Sequence, residues 1–303
     1  MKMWGATAIA RLAMLALAAL ATAAGGVAAA ADRYWPPIVD PATGSYTPGR
    51  WVWADLVTSD VSAAAGFYGE VFGWTFETYG GKDDRDTYTL VLADGLPIGG
   101  MVFDARAMKG DVPSARWIGL VSVADVVGTA TAATTHGGKV VVPPKLLGER
   151  GETAVLQDPE GTPFGVVRSK NGDPTDYLGD VNEWIWIDLW TGNVAQATAF
   201  YSAVLGYEVL PVPAESKREG AHLASGGFLR AGVMRKEAAD TSAAWLPYVR
   251  VADAQSAADR ARAAGGRVFR EPVDIGRAIV AIIVDPTGAP VGIAQLKDKG
   301  AQQ

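Results

Sequence analysis

Val52-Trp53-Ala54-Asp55-Leu56-Val57-Thr58 returns 133 residues later as Ile185-Trp186-Ile187-Asp188-Leu189-Trp190-Thr191. The match runs without a gap from Val52–Trp74 to Ile185–Tyr207. Ten of the 23 positions are identical, among them Phe67-Tyr68 with Phe200-Tyr201 and Gly73 with Gly206. A second pair of segments also repeats. Trp117 to Asp125 is echoed by Trp245 to Asp253, Gly137-Gly138 by Gly265-Gly266, and Asp158-Pro159-Glu160-Gly161 by Asp285-Pro286-Thr287-Gly288. The order is A-B-A′-B′ with a period near 130 residues. That period is far too long for a solenoid and implies two related domains.

Each quarter reads alike. In the first, Trp51 to Val57 is rich in β-formers. Asp60 is a good N-cap, and the helix after it puts Val61, Ala64, Tyr68 and Val71 on one face before Gly73 stops it. Strands follow from Trp74, over Thr87–Leu92 and over Ile98–Phe103. In the second quarter, Ile118–Val123 is a strand and Asp125 caps a helix that ends at Gly137-Gly138. Val140–Val142, Thr153–Gln157 and Phe164–Val167 are strands. Asp-Pro-Glu-Gly suits a type I turn, with Pro at the second place and Gly at the fourth. The unit is β-α-β-β-β, made four times, so the fold class is α+β.

The chain has 303 residues, 49% hydrophobic and 20% charged, which fits a folded protein and not a disordered one. A net charge of −6 argues against a nucleic-acid partner. The absence of cysteine removes disulfides, thiolate metal sites and cysteine nucleophiles. The only histidines are His136 and His222, too few for an imidazole cluster. Lys2 and Arg11 precede an apolar run from Leu12 to Ala24, and small residues at Ala28–Ala31 lead to Asp32. This is the layout of a secretory signal peptide. The run is shorter than the ~20 residues of a membrane-spanning helix. The sequence predicts a signal over 1–31 and export to the periplasm or beyond, with no stable membrane anchor after cleavage. An extended leader over the surface follows at 32–49, then domain 1 at 50–168, a linker at 169–182, domain 2 at 183–297 and a tail at 298–303. Phosphate loops, dinucleotide turns and nucleophile elbows are absent.

The Asp60…Phe67-Tyr68…Gly73-Trp74 run, its copy Asn193…Phe200-Tyr201…Gly206-Tyr207, the two Asp-Pro-x-Gly turns and the double-glycine helix ends resemble the vicinal oxygen chelate superfamily. That superfamily includes glyoxalase I, extradiol dioxygenases and bleomycin-resistance proteins. The resemblance covers about 50–297 and implies four βαβββ modules paired into two glyoxalase-like half-open barrels, each around one cavity. It also implies a divalent metal in each cavity, held by His, Gln or Glu. Carried over by the motif, the metal positions are Ala54, Gly99, Ile118 and Gly165 in domain 1, and Ile187, Ala231, Leu246 and Gly292 in domain 2. None of these side chains offers a lone pair, whereas a divalent ion takes about three or more N or O donors. Asp55 is the one nearby donor, and alternation along the strand turns it to the other face. The expectation is therefore no cofactor and no metal, which leans away from an enzyme.

Several side chains remain as candidates. Asp55 and Asp188 read as structural hydrogen-bonding groups, with general bases as the other reading. His222 reads as an acid/base, a ligand-binding group or an edge residue, and His136 as a helix C-terminal group. Tyr248 and Arg250 follow Leu246 at steps of two on the cavity face. Arg250 pairs there with an anionic ligand or lies in solvent. Tyr248 is a second acid/base candidate. Met101 and Met234 are candidate pocket walls. The tryptophans at 51, 53, 184, 186 and 190 pack under helices or line a ligand cage. The leading function is an exported, metal-free binder of a small organic ligand. The acidic balance favours a cationic ligand, and Arg250 argues the opposite. The alternatives are a metal-dependent lyase, isomerase or dioxygenase with atypical ligands, and a non-catalytic scaffold. The tandem implies a monomer, with a homodimer as the other reading.

Overall fold

The computed structural model describes residues 34–81, 87–108, 115–213, 218–236 and 242–297. The expected signal segment and the tail lie outside the described residues. The first quarter comprises β1 (Trp51–Thr58), α1 (Val61–Phe72), β2 (Thr75–Gly80), β3 (Thr87–Ala93) and β4 (Leu96–Phe103). The second comprises β5 (Arg116–Ser122), α2 (Val126–Thr135), β6 (Lys139–Leu147), β7 (Gly151–Gln157) and β8 (Pro163–Ser169). The third comprises β9 (Trp184–Thr191), α3 (Val194–Leu205), β10 (Glu208–Pro211), β11 (Gly220–Ser225) and β12 (Phe228–Arg235). The fourth comprises β13 (Ala244–Arg250), α4 (Ala254–Ala263), β14 (Arg267–Asp274), β15 (Ala278–Val284) and β16 (Pro290–Leu296).

Local chemistry sets the helix ends. Asp60, Asp125, Asn193 and Asp253 each accept a hydrogen bond from the backbone N–H three residues on. Such a cap stabilises a helix by about 1 kcal/mol. Gly73 and Gly206 close α1 and α3 in the left-handed region, at φ 72° and 71°.

Quarters one and two form one eight-stranded sheet, in the order β2-β3-β4-β1-β5-β8-β7-β6. Quarters three and four form the second, β10-β11-β12-β9-β13-β16-β15-β14. Within each sheet the first strands of the two modules, β1 with β5 and β9 with β13, pair antiparallel at the centre. Each sheet is an open trough and not a closed barrel, as the half-open expectation requires.

The helices lie between the two sheets and each core is built from both domains. Ala54, Leu56, Phe67, Tyr68 and Trp117 of the first domain share one core with Ala257, Ala258, Ala261, Ile283 and Ile293 of the second. Ala130, Ala133, Leu156 and Phe164 share the other with Leu189, Ala197, Phe200, Tyr201 and Trp245. The repeated motifs are the contacts that join the halves. A side chain at Gly138 would meet Phe200, and one at Gly266 would meet Phe67. The Tyr201 hydroxyl donates to Asp158 of the Asp-Pro-Glu-Gly turn at 3.1 Å and accepts from the Trp245 indole at 2.9 Å. Tyr68 takes the mirrored place, accepting from Trp117 at 2.8 Å, with Asp285 beside it. Burial pushes Asp158 and Asp285 above the usual carboxylate range.

Both connecting segments pack onto the first domain. The leader does not stay on the surface, because Trp35 and Ile38 are buried in the first domain's concave face. The linker is anchored: buried Asp173 accepts from Ser122, Ser169 and the Thr47 backbone.

Candidate functional site

The face opposite the helices forms one bowl per domain. On β1, Ala54 and Leu56 join the core under α1, while Trp53 and Val57 belong to the cluster on the other side. Asp55 goes with Trp53 and lines the bowl, against the expectation that it turns away. Pairing carries the row across the sheet, with Gly100 and Ile118 opposite Asp55 and Leu90 opposite Gly100. Ile118 and Gly165 line the bowl. Ala54 and Gly99 do not. Ala54 is in the helix-side core, and a side chain on Gly99 would meet the Ala54 carbonyl and Trp117. The second domain repeats the correction. Ile187 and Ala231 are buried on the helix side, whereas Asp188, Gly232, His222 and Leu246 share one row. The central strands are apolar on both faces, so their sequence does not tell which face is which.

The first bowl holds a buried cation that the sequence reading missed. Arg150 lies in the turn between β6 and β7 and is 1% exposed. Its Nη1 donates to Asp55 Oδ2 at 2.8 Å and its Nη2 to the Tyr88 hydroxyl at 2.5 Å. Tyr88 donates in turn to Asp55 Oδ1 at 2.6 Å, which also accepts from the Trp53 indole at 3.0 Å. The guanidinium lies 4.8–5.2 Å from the ring centroids of Tyr88, Trp53 and Trp35. Burial works against its charge, but Asp55 and Tyr88 more than offset this and its pKa is raised. The Tyr88 phenol is pushed up, chiefly by burial, and stays protonated. The signal that could have found this site is Gly100, a glycine in a central strand marking a close approach. The Tyr88 hydroxyl fills the space a side chain there would need.

The second bowl keeps the aspartate and loses the plug. Asp188 accepts from the Trp186 indole at 2.7 Å and bonds to the Tyr248 hydroxyl. Its carboxylate leans over Gly232, and the Tyr248 ring covers Gly292. Burial raises the Asp188 pKa, and burial beside Asp188 pushes Tyr248 well up. His222 is 5% exposed, with its ring 6.0 Å from Trp186, and burial lowers its pKa. Met234 is half-buried on β12, its methyl close to Gly232. Trp186 and Trp190 are half-buried, and the Arg218 and Arg270 guanidinia lie 5.3 and 5.9 Å from the Trp190 ring. The structure thus brings His222, Tyr248 and Met234 together around Asp188.

Two candidates lie elsewhere. Met101 is in the core under α1 and lines no bowl. Arg250 grips the linker, donating to the Gly179 carbonyl at 3.1 Å with Asp180 at 3.9 Å, so it is neither a ligand group nor a free strand end. Among the tryptophans, Trp51 packs on Trp245 and Trp184 on Trp74 and Trp117, all at the join between domains. His136 stands at the C-terminal end of α2, its backbone N–H donating to the Ala132 carbonyl.

The donor set does not fit the divalent ion that the fold family implies. In the first bowl Asp55 is the only donor in the central row, and both its oxygens are engaged by Arg150, Tyr88 and Trp53. In the second, Asp188 and His222 are two strands apart, with Gly232 between them and Leu246 and Gly292 beyond. Among the described residues no group of three or more His, Asp or Glu side chains could hold a metal ion.

Comparison with known proteins agrees with this architecture. Residues 50–166 match the model of the Glyoxalase/Bleomycin resistance protein/Dioxygenase superfamily, and 184–294 match the Glyoxalase-like domain. A Mycobacterium tuberculosis protein, CFP32, whose name assigns it provisionally as a glyoxylase, is 29% identical, covering 82% of this chain and 95% of its own. The anthracycline biosynthesis protein DauV of Streptomyces sp. strain C5 is 28% identical, covering 84% and 95%. In fold, the Mn(II)-bound glyoxalase of Novosphingobium aromaticivorans superposes with a TM-score of 0.58 at 16% identity, over 83% of both chains. The 2,3-dioxygenase LapB of Pseudomonas sp. KL28 does so at 0.57 and 14%, over 82% of this chain and 93% of its own. The chain belongs to the glyoxalase, or vicinal oxygen chelate, superfamily as a tandem of two of its domains.

Proposed function

We propose that the protein is an exported binder that takes a flat aromatic molecule in its second bowl without a metal ion. One observation carries this reading. In the first bowl Arg150 and Trp35 are buried against the Asp55 cluster, whereas the second leaves Trp186, Trp190 and Met234 only partly buried around Asp188. Indole faces stack on aromatic ligands, and a thioether adapts to their edges. The Streptomyces relative named for anthracycline biosynthesis supports a fused-ring ligand. Arg218 and Arg277 act on Asp188, and Arg270 on Tyr248. This local basic field favours a ligand with an acidic oxygen, despite the chain's net charge of −6. The layout of residues 1–31 supports export.

The test is a tryptophan-fluorescence titration with fused-ring phenols and quinones. Trp190→Ala should weaken binding by roughly tenfold, the scale of one lost stacking contact. A stoichiometric transition metal in the purified protein would overturn the metal-free reading. A second reading, metal-independent acid–base catalysis, is favoured by the raised Asp188 pKa beside Tyr248. It requires turnover of a bound ligand that Asp188→Asn abolishes while binding persists.

A further inference from the structure

The two sheets leave four edge strands, β2 and β6 in the first and β10 and β14 in the second. An edge strand presents unpaired backbone N–H and C=O groups, and folded proteins blunt it with proline, lysine, bulges or brevity. Three of the four are blunted in this way. β6 holds Pro143-Pro144, Lys139 and Lys145, and its register against β7 shifts twice. β14 holds Pro272, and its register against β15 also shifts twice. β10 is four residues long and ends at Pro211, with Pro213 just beyond. β2, Thr75-Phe76-Glu77-Thr78-Tyr79-Gly80, has neither proline nor lysine and runs against β3 in one unbroken register. Thr75, Glu77, Thr78 and Gly80 are exposed, and no strand among the described residues pairs with its outer side.

We propose that β2 is a strand-addition surface for a second copy of this chain, joining two first-domain sheets edge to edge about a twofold axis. The order of residues in β2 is what fits it to its own copy. In an antiparallel twofold pair, each residue faces one whose side chain lies on the same side of the sheet. Only two such registers keep five of the six residues opposite one another. One centres on Glu77 and sets two carboxylates face to face, which is unfavourable. The other centres on Thr78. There Glu77 stands opposite Tyr79 of the second copy, and the Tyr79 hydroxyl already donates to Glu77 within each strand at 2.6 Å. Phe76 lies over Gly80 of the second copy and fills the space the glycine leaves. Thr78 faces Thr78, a cross-strand pair that gains a hydrogen bond. In this register no charge stands opposite its like. The contact is one strand wide, so the dimer is a weak one. It uses neither Asp55 nor Asp188 and is independent of what the bowls bind.

Sedimentation velocity of the full chain at rising concentration reads the association. The mass should climb from one copy toward two with a Kd of roughly 10 μM to 1 mM, the range of a small interface. Thr78→Lys and Thr78→Glu each set like charges face to face at the twofold, and each should weaken the dimer by roughly fivefold or more. An equal mixture of the two variants sets Lys against Glu and should restore the dimer to wild-type strength or better. That recovery also shows that both variants fold, since a misfolded edge has nothing to pair. A chain that stays monomeric at millimolar concentration, a dimer that either variant leaves at full strength, or a mixture no stronger than its components would each rule out the β2 contact.

Discussion

Asp55 and Asp188 hold equivalent places in the two sheets and keep different company. Asp55 faces a guanidinium, and Asp188 a phenol and an indole. Removing one partner of a buried ion pair strands the other charge. Arg150→Met is therefore expected to lower stability by about 3–5 kcal/mol in urea denaturation. Adding Asp55→Asn should recover part of that loss, because the stranded carboxylate is then gone. Asp188 makes a different prediction. Its folded pKa is raised above the ordinary value of 3.8, so the folded state binds the proton more tightly than the unfolded chain. The stabilisation this gives is complete below the unfolded value and is lost as pH rises through the folded one. Wild type should therefore lose stability relative to Asp188→Asn as pH climbs from about 4 toward neutrality. Denaturation midpoints of the two proteins across that window check the sign, and parallel curves would refute it.

At the scale of elements, the double glycines that end α2 and α4 carry the join between domains. Gly266→Ala places a methyl against Phe67 and the Val284 carbonyl. The expected loss is about 1–3 kcal/mol, as for other overpacked contacts. Phe67→Leu should relieve part of it, and a double-mutant cycle by thermal denaturation measures the coupling. Helices, caps and turns were legible in the sequence because they are local: Asp60, Gly73 and the Asp-Pro-x-Gly turns act within a few residues of themselves. The four modules were legible because they repeat. The face of each central strand was not, since Val52 to Val57 is apolar on both sides and only Asp55 breaks the run. Arg150 was illegible for another reason. Its partner is 95 residues away, and no short-range pattern announces a contact of that span. Arg250 misled by the reverse route: its alternation is right, but the linker reaches it first.

For the whole molecule, the shared cores make the two sheets one folding unit. Tyr68 and Phe67 complete a core containing α4, and Tyr201 and Phe200 complete one containing α2. The full chain should unfold in a single calorimetric transition, with no separate step for either domain. Residues 50–168 expressed alone should lack a sharp transition, since the faces that α3 and α4 cover would meet water. Two resolved transitions, or a stable isolated half, would contradict the shared cores. The same exchange of contacts across a pseudo-twofold is what a pair of separate chains would use to associate. Tethering them makes pairing a first-order event, indifferent to dilution. It also frees the halves from symmetry. In a homodimer a single codon edits both centres at once, whereas in this tandem one centre holds an arginine against its aspartate and the other sets a phenol and an indole there.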